Sequence, residues 1–386
     1  MAQARSTQHP CGVQVAWVEE TSAEVAVRLS AEAIDRSRVA HVVAFFSPVF
    51  DDVALAAALA LHFPGAQVAG CSSAGEISPA GALDSGLVIV AFPKKGFRIV
   101  STLLEGVTDL DVERTATSVR DLRRRLDALS PAPRGERFAM SLIDGLANAE
   151  ERVVTVIDQA LDGIPLVGGS AGDDLSFDQS ALIYDGVVHT GAAILLIVET
   201  DFPIRIFKTD NFEPTDVKFV VTASDGESRT VSELNAEPAA LEYAMAVGLD
   251  PARLSPMSFA SHPLVVRVGG EYFCRSIRRL NPDGSLSFFC AIDQGLVLTL
   301  AKPQDVIEVT RAELARVDAE LGGIDLVIGF DCVLRRLDAE IRQKRRTISE
   351  LYRQYNVVGF ETYGEQYRSM HLNQTFTGVA IGVAAS

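Results

Sequence analysis

The stretch Val68-Ala-Gly-Cys-Ser-Ser-Ala-Gly-Glu-Ile77 decides how the rest of the chain is read. An apolar strand end runs into a turn of small residues and stops at a carboxylate. Small residues let the backbone bend sharply, present its N–H groups and admit another group closely. That makes Gly70, Cys71, Ser72, Ser73, Gly75 and Glu76 candidate ligand-binding positions. The pattern returns at Leu166-Val-Gly-Gly-Ser-Ala-Gly-Asp173 and at Val357-Val-Gly-Phe-Glu-Thr-Tyr-Gly-Glu365. Gly168, Ser170, Gly172, Asp173, Gly364 and Glu365 join the candidates, with Asn373 shortly after. An apolar run precedes each turn (42–46, 138–143, 324–330) and another follows it (87–92, 192–198, 379–383). From Phe46 to Gly70, and from Asp144 to Gly168, the distance is 24 residues; from Phe330 to Gly359 it is 29. A strand–helix–strand–glycine-turn–strand unit, used three times, implies internal duplication.

At 386 residues the chain exceeds the size at which one core usually stops growing, so two domains are expected. The formal charge is −16, from 51 acids against 35 bases. Such a field repels phosphate backbones and anionic lipid, which argues against nucleic acid and membrane partners. The N-terminus carries no apolar signal-like segment, and runs such as 54–61 are too short to span a bilayer, so a cytoplasmic location is expected. Five scattered cysteines without a C-x-x-C fit neither a disulfide framework nor a zinc site.

In chain order, residues 1–10 read as a loose arm, and Thr21-Ser-Ala-Glu24 reads as a capping box opening a helix to about Asp35. Helices are expected from Asp51 or Asp52 to His62 and from Arg114 to Leu129, the latter stopped by Ser130-Pro-Ala-Pro133. Ala223-Ser-Asp-Gly-Glu signals a hairpin, Asn235 can cap a short helix, and 263–300 reads as a strand meander. A long amphipathic helix is expected over 332–355. The fold class is α/β, with mixed sheets covered by helices. The division is 1–35 (arm and helix), 36–233 and 234–386.

The first turn, Gly70-Cys-Ser-Ser-Ala-Gly-Glu-Ile77 with Pro79 beyond it, resembles the N-terminal FIST domain of bacterial sensory proteins. The ending 363–382 and the stretch 262–277 resemble the C-terminal FIST domain. Within that family the chain looks most like the nitric-oxide-sensing haem proteins called NosP. The resemblance implies non-covalent haem b, nitric oxide as the signal, and a partner histidine kinase controlling biofilm or quorum-sensing pathways. Whether the chain forms a homo-oligomer stays open.

A haem needs an axial ligand, an apolar pocket and partners for its propionates. Of six histidines, His371 stands first as iron ligand, beside Asn373 and Gln374, with His262 before Pro263 as the alternative. Tyr363, Tyr367 and Arg368 are candidates to line the pocket or meet propionates. Two other readings compete. The turns would bind a small metabolite such as an amino acid, N–H groups on its carboxylate and Glu76 or Glu365 on its amine. Alternatively Gly168-Gly-Ser170-Ala-Gly172 matches the G-x-S-x-G elbow of serine hydrolases, which requires strand, turn and then helix.

Overall fold

The computed structural model describes residues 3–83, 85–129, 135–268 and 270–383. The first repeat comprises β1 (Arg5–Gln8), β2 (Gln14–Val18), α1 (Ala23–Glu32), β3 (Val39–Phe46), α2 (Asp52–His62), β4 (Gln67–Ser72), the hairpin of β5 (Glu76–Ser78) and β6 (Gly81–Ala82), and β7 (Leu87–Pro93). The second follows the same plan. It runs through β8 (Phe97–Glu105), α3 (Val112–Leu129), β9 (Glu136–Asp144), α4 (Glu150–Leu161), β10 (Leu166–Ala171), the hairpin of β11 (Leu182–Tyr184) and β12 (Val187–His189), and β13 (Ala192–Thr200).

The third repeat opens with β14 (Ile204–Asp210) and is then interrupted. The insertion holds β15 (Phe212–Asp225), β16 (Thr230–Leu234), β17 (Glu237–Pro238), α5 (Ala239–Val247), α6 (Pro256–Ser261), β18 (Leu264–Val268), β19 (Glu271–Cys274), β20 (Ile277–Leu280), β21 (Leu286–Phe288) and β22 (Val297–Pro303). The repeat resumes with α7 (Val306–Leu321), β23 (Ile324–Cys332), α8 (Val333–Ile341), α9 (Arg345–Gln354), β24 (Val357–Thr362), the hairpin of β25 (Glu365–Tyr367) and β26 (Met370–Leu372), and β27 (Thr375–Gly382).

Each repeat builds one sheet around a parallel pair, β3/β4, β9/β10 or β23/β24, with β7, β13 or β27 antiparallel on the far side of the first strand. The leading glycines of the three turns sit at one equivalent position: Gly70 opposite Ala44, Gly168 opposite Ser141, Gly359 opposite Gly329. A Cβ there would fall 2.7, 2.2 and 1.8 Å from the facing carbonyl oxygen, so the parallel strands tolerate no larger residue.

The hairpins do not stay with their own sheets. The hairpin after β4 extends β24, the one after β24 extends β10, and the one after β10 extends β4. The three sheets are thus laced together in a closed cycle, and the glycine turns are the crossover points. One core cluster draws on all three inner faces, including Val43, Phe45, Met140, Val167, Ile328, Phe360 and Val379. Helices cover the outside: α1 and α2 over the first sheet, α3 and α4 over the second, α7 and α9 over the third. The insertion forms a separate eight-strand sheet with its own core around Phe219, Tyr243, Phe259 and Leu298.

Several local expectations change. Residues 5–8 are a strand paired with β2 rather than a loose arm. No capping box forms at Thr21: Ser22 makes no side-chain cap, and the Glu20 carboxylate instead accepts from the Thr21 and Ser22 amides. Asp51 does cap α2, accepting from the Ala54 amide at 2.8 Å. Asn235 takes a left-handed turn conformation and braces β15 instead of capping α5. The helix expected over 332–355 breaks between α8 and α9, where Gln343 has φ +57°. The Ser130–Pro133 stop lies outside the described residues. By sheet, residues 212–303 form a body of their own, while the third repeat returns to the shared core.

Candidate functional site

The glycine turns meet at the C-terminal ends of the parallel strands, and their backbone groups bind one another. The Ala74 amide donates to the Glu361 carbonyl at 2.9 Å and the Glu361 amide to Gly75 at 2.7 Å. The Gly172 amide donates to Ser72 at 3.1 Å and the Ser170 amide to Gly364 at 2.8 Å. These N–H groups are therefore committed to closing the cycle, which removes the donors that a metabolite carboxylate would need. Cys71 is fully buried in the central core, where burial pushes its thiol well above the ordinary value and disfavours the thiolate a nucleophile uses. Ser170 lies inside β10, its hydroxyl accepting from Gln366 Nε2 at 3.0 Å. The next regular element after its turn is the strand β11 rather than a helix, so the elbow geometry is not met.

The acids of the turns are buried. Glu76 Oε1 accepts from Ser73 Oγ at 2.6 Å, while Oε2 has no hydrogen-bond partner among the described residues. Burial pushes Glu76 up to about 8. Glu361 is pushed up by burial to about 7, against the Arg336 guanidinium, whose Nη1 lies 3.0 Å away. Arg336 reaches on to the Ala74 carbonyl and to Asp174, pinning the 173–179 loop over the turns. Tyr363 holds the same loop: its hydroxyl donates to the Asp173 carboxylate and accepts from the Leu175 amide at 2.7 Å. Asp173 in turn accepts from the amides of Phe177, Asp178 and Gln179. Glu365 accepts from Thr375, and Asn373 donates to the Tyr363 carbonyl. These residues are structural clasps.

His371 lies on β26, opposite Gln366, and is 3% exposed. Neither ring nitrogen has a hydrogen-bond partner among the described residues. Desolvation lowers its pKa, opposed by the charges of Glu150 and Glu151. The ring is packed tightly on Gly364, where a Cβ would fall 2.1 Å from Cε1. Tyr367 and Arg368 sit at the tip of this hairpin, Arg368 exposed and stacked over Tyr367, while Tyr363 is tied to Asp173. The expected set His371, Tyr363, Tyr367 and Arg368 thus does not converge on one pocket. A haem does not fit at His371.

His262 is in a different setting. It caps the C-terminal end of α6, half-buried, and lines an open-sided groove of about 700 Å³. Val217, Val247, Leu300 and Pro303 supply apolar walls, with Lys302 and Arg342 as cations. The His262 Nδ1 lies 3.0 Å from the Ser258 carbonyl. A carbonyl only accepts, so Nδ1 carries the proton and Nε2 keeps its lone pair, the tautomer a metal-ligating imidazole uses. The residues here fit a haem: an imidazole with a free lone pair, apolar walls, Lys302 as an anion partner and a volume in the usual ligand range, while Arg342 has its Nε committed to Asp338 at 2.8 Å and Asp216 also lines the groove. Lys302, Arg342 and the 215–217 bulge of β15 are contributions that sequence reading missed. They are distant along the chain, and nothing local marks them as neighbours.

Residues 40–237 match the family model of the FIST N domain and residues 239–368 that of the FIST C domain. The chain belongs to the FIST family, whose domains carry a sensory, signal-transducing role. It is also similar to a protein of Methanocaldococcus jannaschii described as uncharacterized protein MJ1623, with 24% identity over 368 residues, covering 84% of this chain and 70% of that one. Among the described residues no helix is long and apolar enough to cross a membrane.

Proposed function

We propose that this FIST protein is a haem-based nitric oxide sensor of the NosP kind, binding haem b in the His262 groove and acting on a cytoplasmic histidine kinase. The observation that carries the reading is the His262 ring, with Nδ1 fixed by the Ser258 carbonyl and Nε2 free in a groove with apolar walls and cations. His262 would hold the iron, and Lys302 a propionate. A bound haem iron supplies the coordination position at which nitric oxide binds.

The place of the groove supports signalling. Arg342 directly follows α8 of the three-sheet core, while Val217, Val247, His262 and Leu300 belong to the inserted sheet and its helices. A ligand there touches both bodies, so a change in how it is held biases their relative position. That is the differential contact a population shift requires.

The test is a titration of the protein with haemin, followed by Soret absorbance, for wild type, His262→Ala and His371→Ala. Stoichiometric uptake retained in His371→Ala and lost in His262→Ala supports the assignment. Uptake lost only in His371→Ala, or absent in all three, overturns it.

A further inference from the structure

A second groove, of about 540 Å³, lies at the opposite end of the core from the glycine turns. It is lined by Gly12 between β1 and β2, Arg38 before β3, Lys94, Lys95 and Gly96 between β7 and β8, and Asp201 and Phe202 after β13. In a chain of net charge −16, many arginines are spent on carboxylates, as Arg98 is on Glu199 and Asp201. Arg38, Lys94 and Lys95 are exposed and form no ion pair among the described residues; Lys94 Nζ meets only the Ser37 carbonyl, at 3.1 Å. Asp201, the acid in the groove, already has Arg98 at 2.6 Å. Three cations therefore share one concave surface with a single acid that is itself paired to Arg98, which leaves a net positive potential there.

The groove also has a built apolar floor. The Phe202 ring lies against the Gly96 backbone, where a Cβ would fall 2.8 Å from its Cε2, and its other support is Phe97, at 5.6 Å between centroids. Gly96 has φ +84°, so both its conformation and its missing side chain serve this contact. A supported aromatic ring beside uncompensated cations matches a ligand with a flat body and an anionic group.

We propose that this groove is a second ligand site, for an aromatic anion: a phosphate or carboxylate carried on a flat ring, the ring against Phe202 and the anion among Arg38, Lys94 and Lys95. Because the groove lies between the first two repeats and shares no lining residue with the His262 groove, its occupant is independent of that groove.

Isothermal titration with adenosine monophosphate and, separately, 2-naphthoate tests this in wild type, Lys94→Gln/Lys95→Gln, Phe202→Leu and His262→Ala. The expected result is saturable binding of one probe with Kd below about 1 mM. It weakens about tenfold or more in the double and Phe202 variants, weakens as salt rises, and is unchanged in His262→Ala. Which probe binds identifies phosphate or carboxylate as the anion. No saturable binding of either probe, binding indifferent to Lys94, Lys95 and Phe202, or binding lost in His262→Ala overturns the proposal.

Discussion

Replacing Arg229 with methionine removes the ion pair that ties the inserted sheet to the three-sheet core. Arg229, just ahead of β16, donates to Glu150 Oε2 at 2.7 Å, to Glu151, and to the Phe289 carbonyl at 2.6 Å. The side chains of Arg229 and Glu150 are 3% and 2% exposed. Methionine keeps most of the apolar volume but strands the Glu150 carboxylate without its counter-charge. Breaking a buried pair from one side costs about 3–5 kcal/mol. With unfolding entropy of about 2.1 cal/mol/K per residue, a chain of this size loses about 5 °C in Tm for a 4 kcal/mol loss. Arg229→Met/Glu150→Leu also removes the buried carboxylate and leaves only the part-exposed Glu151, which keeps the Ala291 amide, so it regains most of that. Urea unfolding and differential scanning calorimetry of the single and double variants measure it. A loss below about 1 kcal/mol in the single variant, or a double variant as unstable as the single, would refute the reasoning.

Gly359→Ala places a Cβ 1.8 Å from the Gly329 carbonyl, and the protein is expected in inclusion bodies or with strongly lowered Tm. Gly226→Ala, whose Cβ meets only Asp293 Oδ1 at 3.2 Å, changes Tm by a degree or so at most. Tyr363→Phe deletes the hydroxyl that holds Asp173 and Leu175; it costs about 1–3 kcal/mol and speeds hydrogen exchange at the 175–179 amides. Glu76 has its folded pKa raised from 4.5 to about 8. The folded state therefore holds this proton after the unfolded chain has released it, and stability present below pH 4.5 is lost as pH rises through about 8. Glu76→Gln flattens that decline, so its Tm relative to wild type rises between pH 5 and 8; a constant difference across the range would contradict the burial argument.

The glycine turns made the repeat readable because a parallel strand cannot approach Ala44, Ser141 or Gly329 past a side chain, which fixes small residues at fixed places. The exchange of hairpins was not readable: the pairing of β5 with β24 rather than β4 rests on no pattern within either segment. The break after α8 was hidden because the apolar stripe of 334–355 continues across it, although Gln343 turns left-handed. β1 was missed because Arg5-Ser-Thr-Gln8 carries no apolar alternation and owes its strand to pairing with β2. The two histidines look alike in sequence. Only the fold shows that one ring is sealed against Gly364 and the other fixed at the edge of a groove by a carbonyl four residues earlier.

The most direct measurement is the absorption spectrum of the haem-reconstituted, reduced protein before and after nitric oxide, for wild type beside His262→Ala. The account predicts a Soret band that shifts with nitric oxide in wild type and is missing from the variant. A protein that takes up no haem, or a His262→Ala variant with the wild-type spectrum and shift, would contradict it.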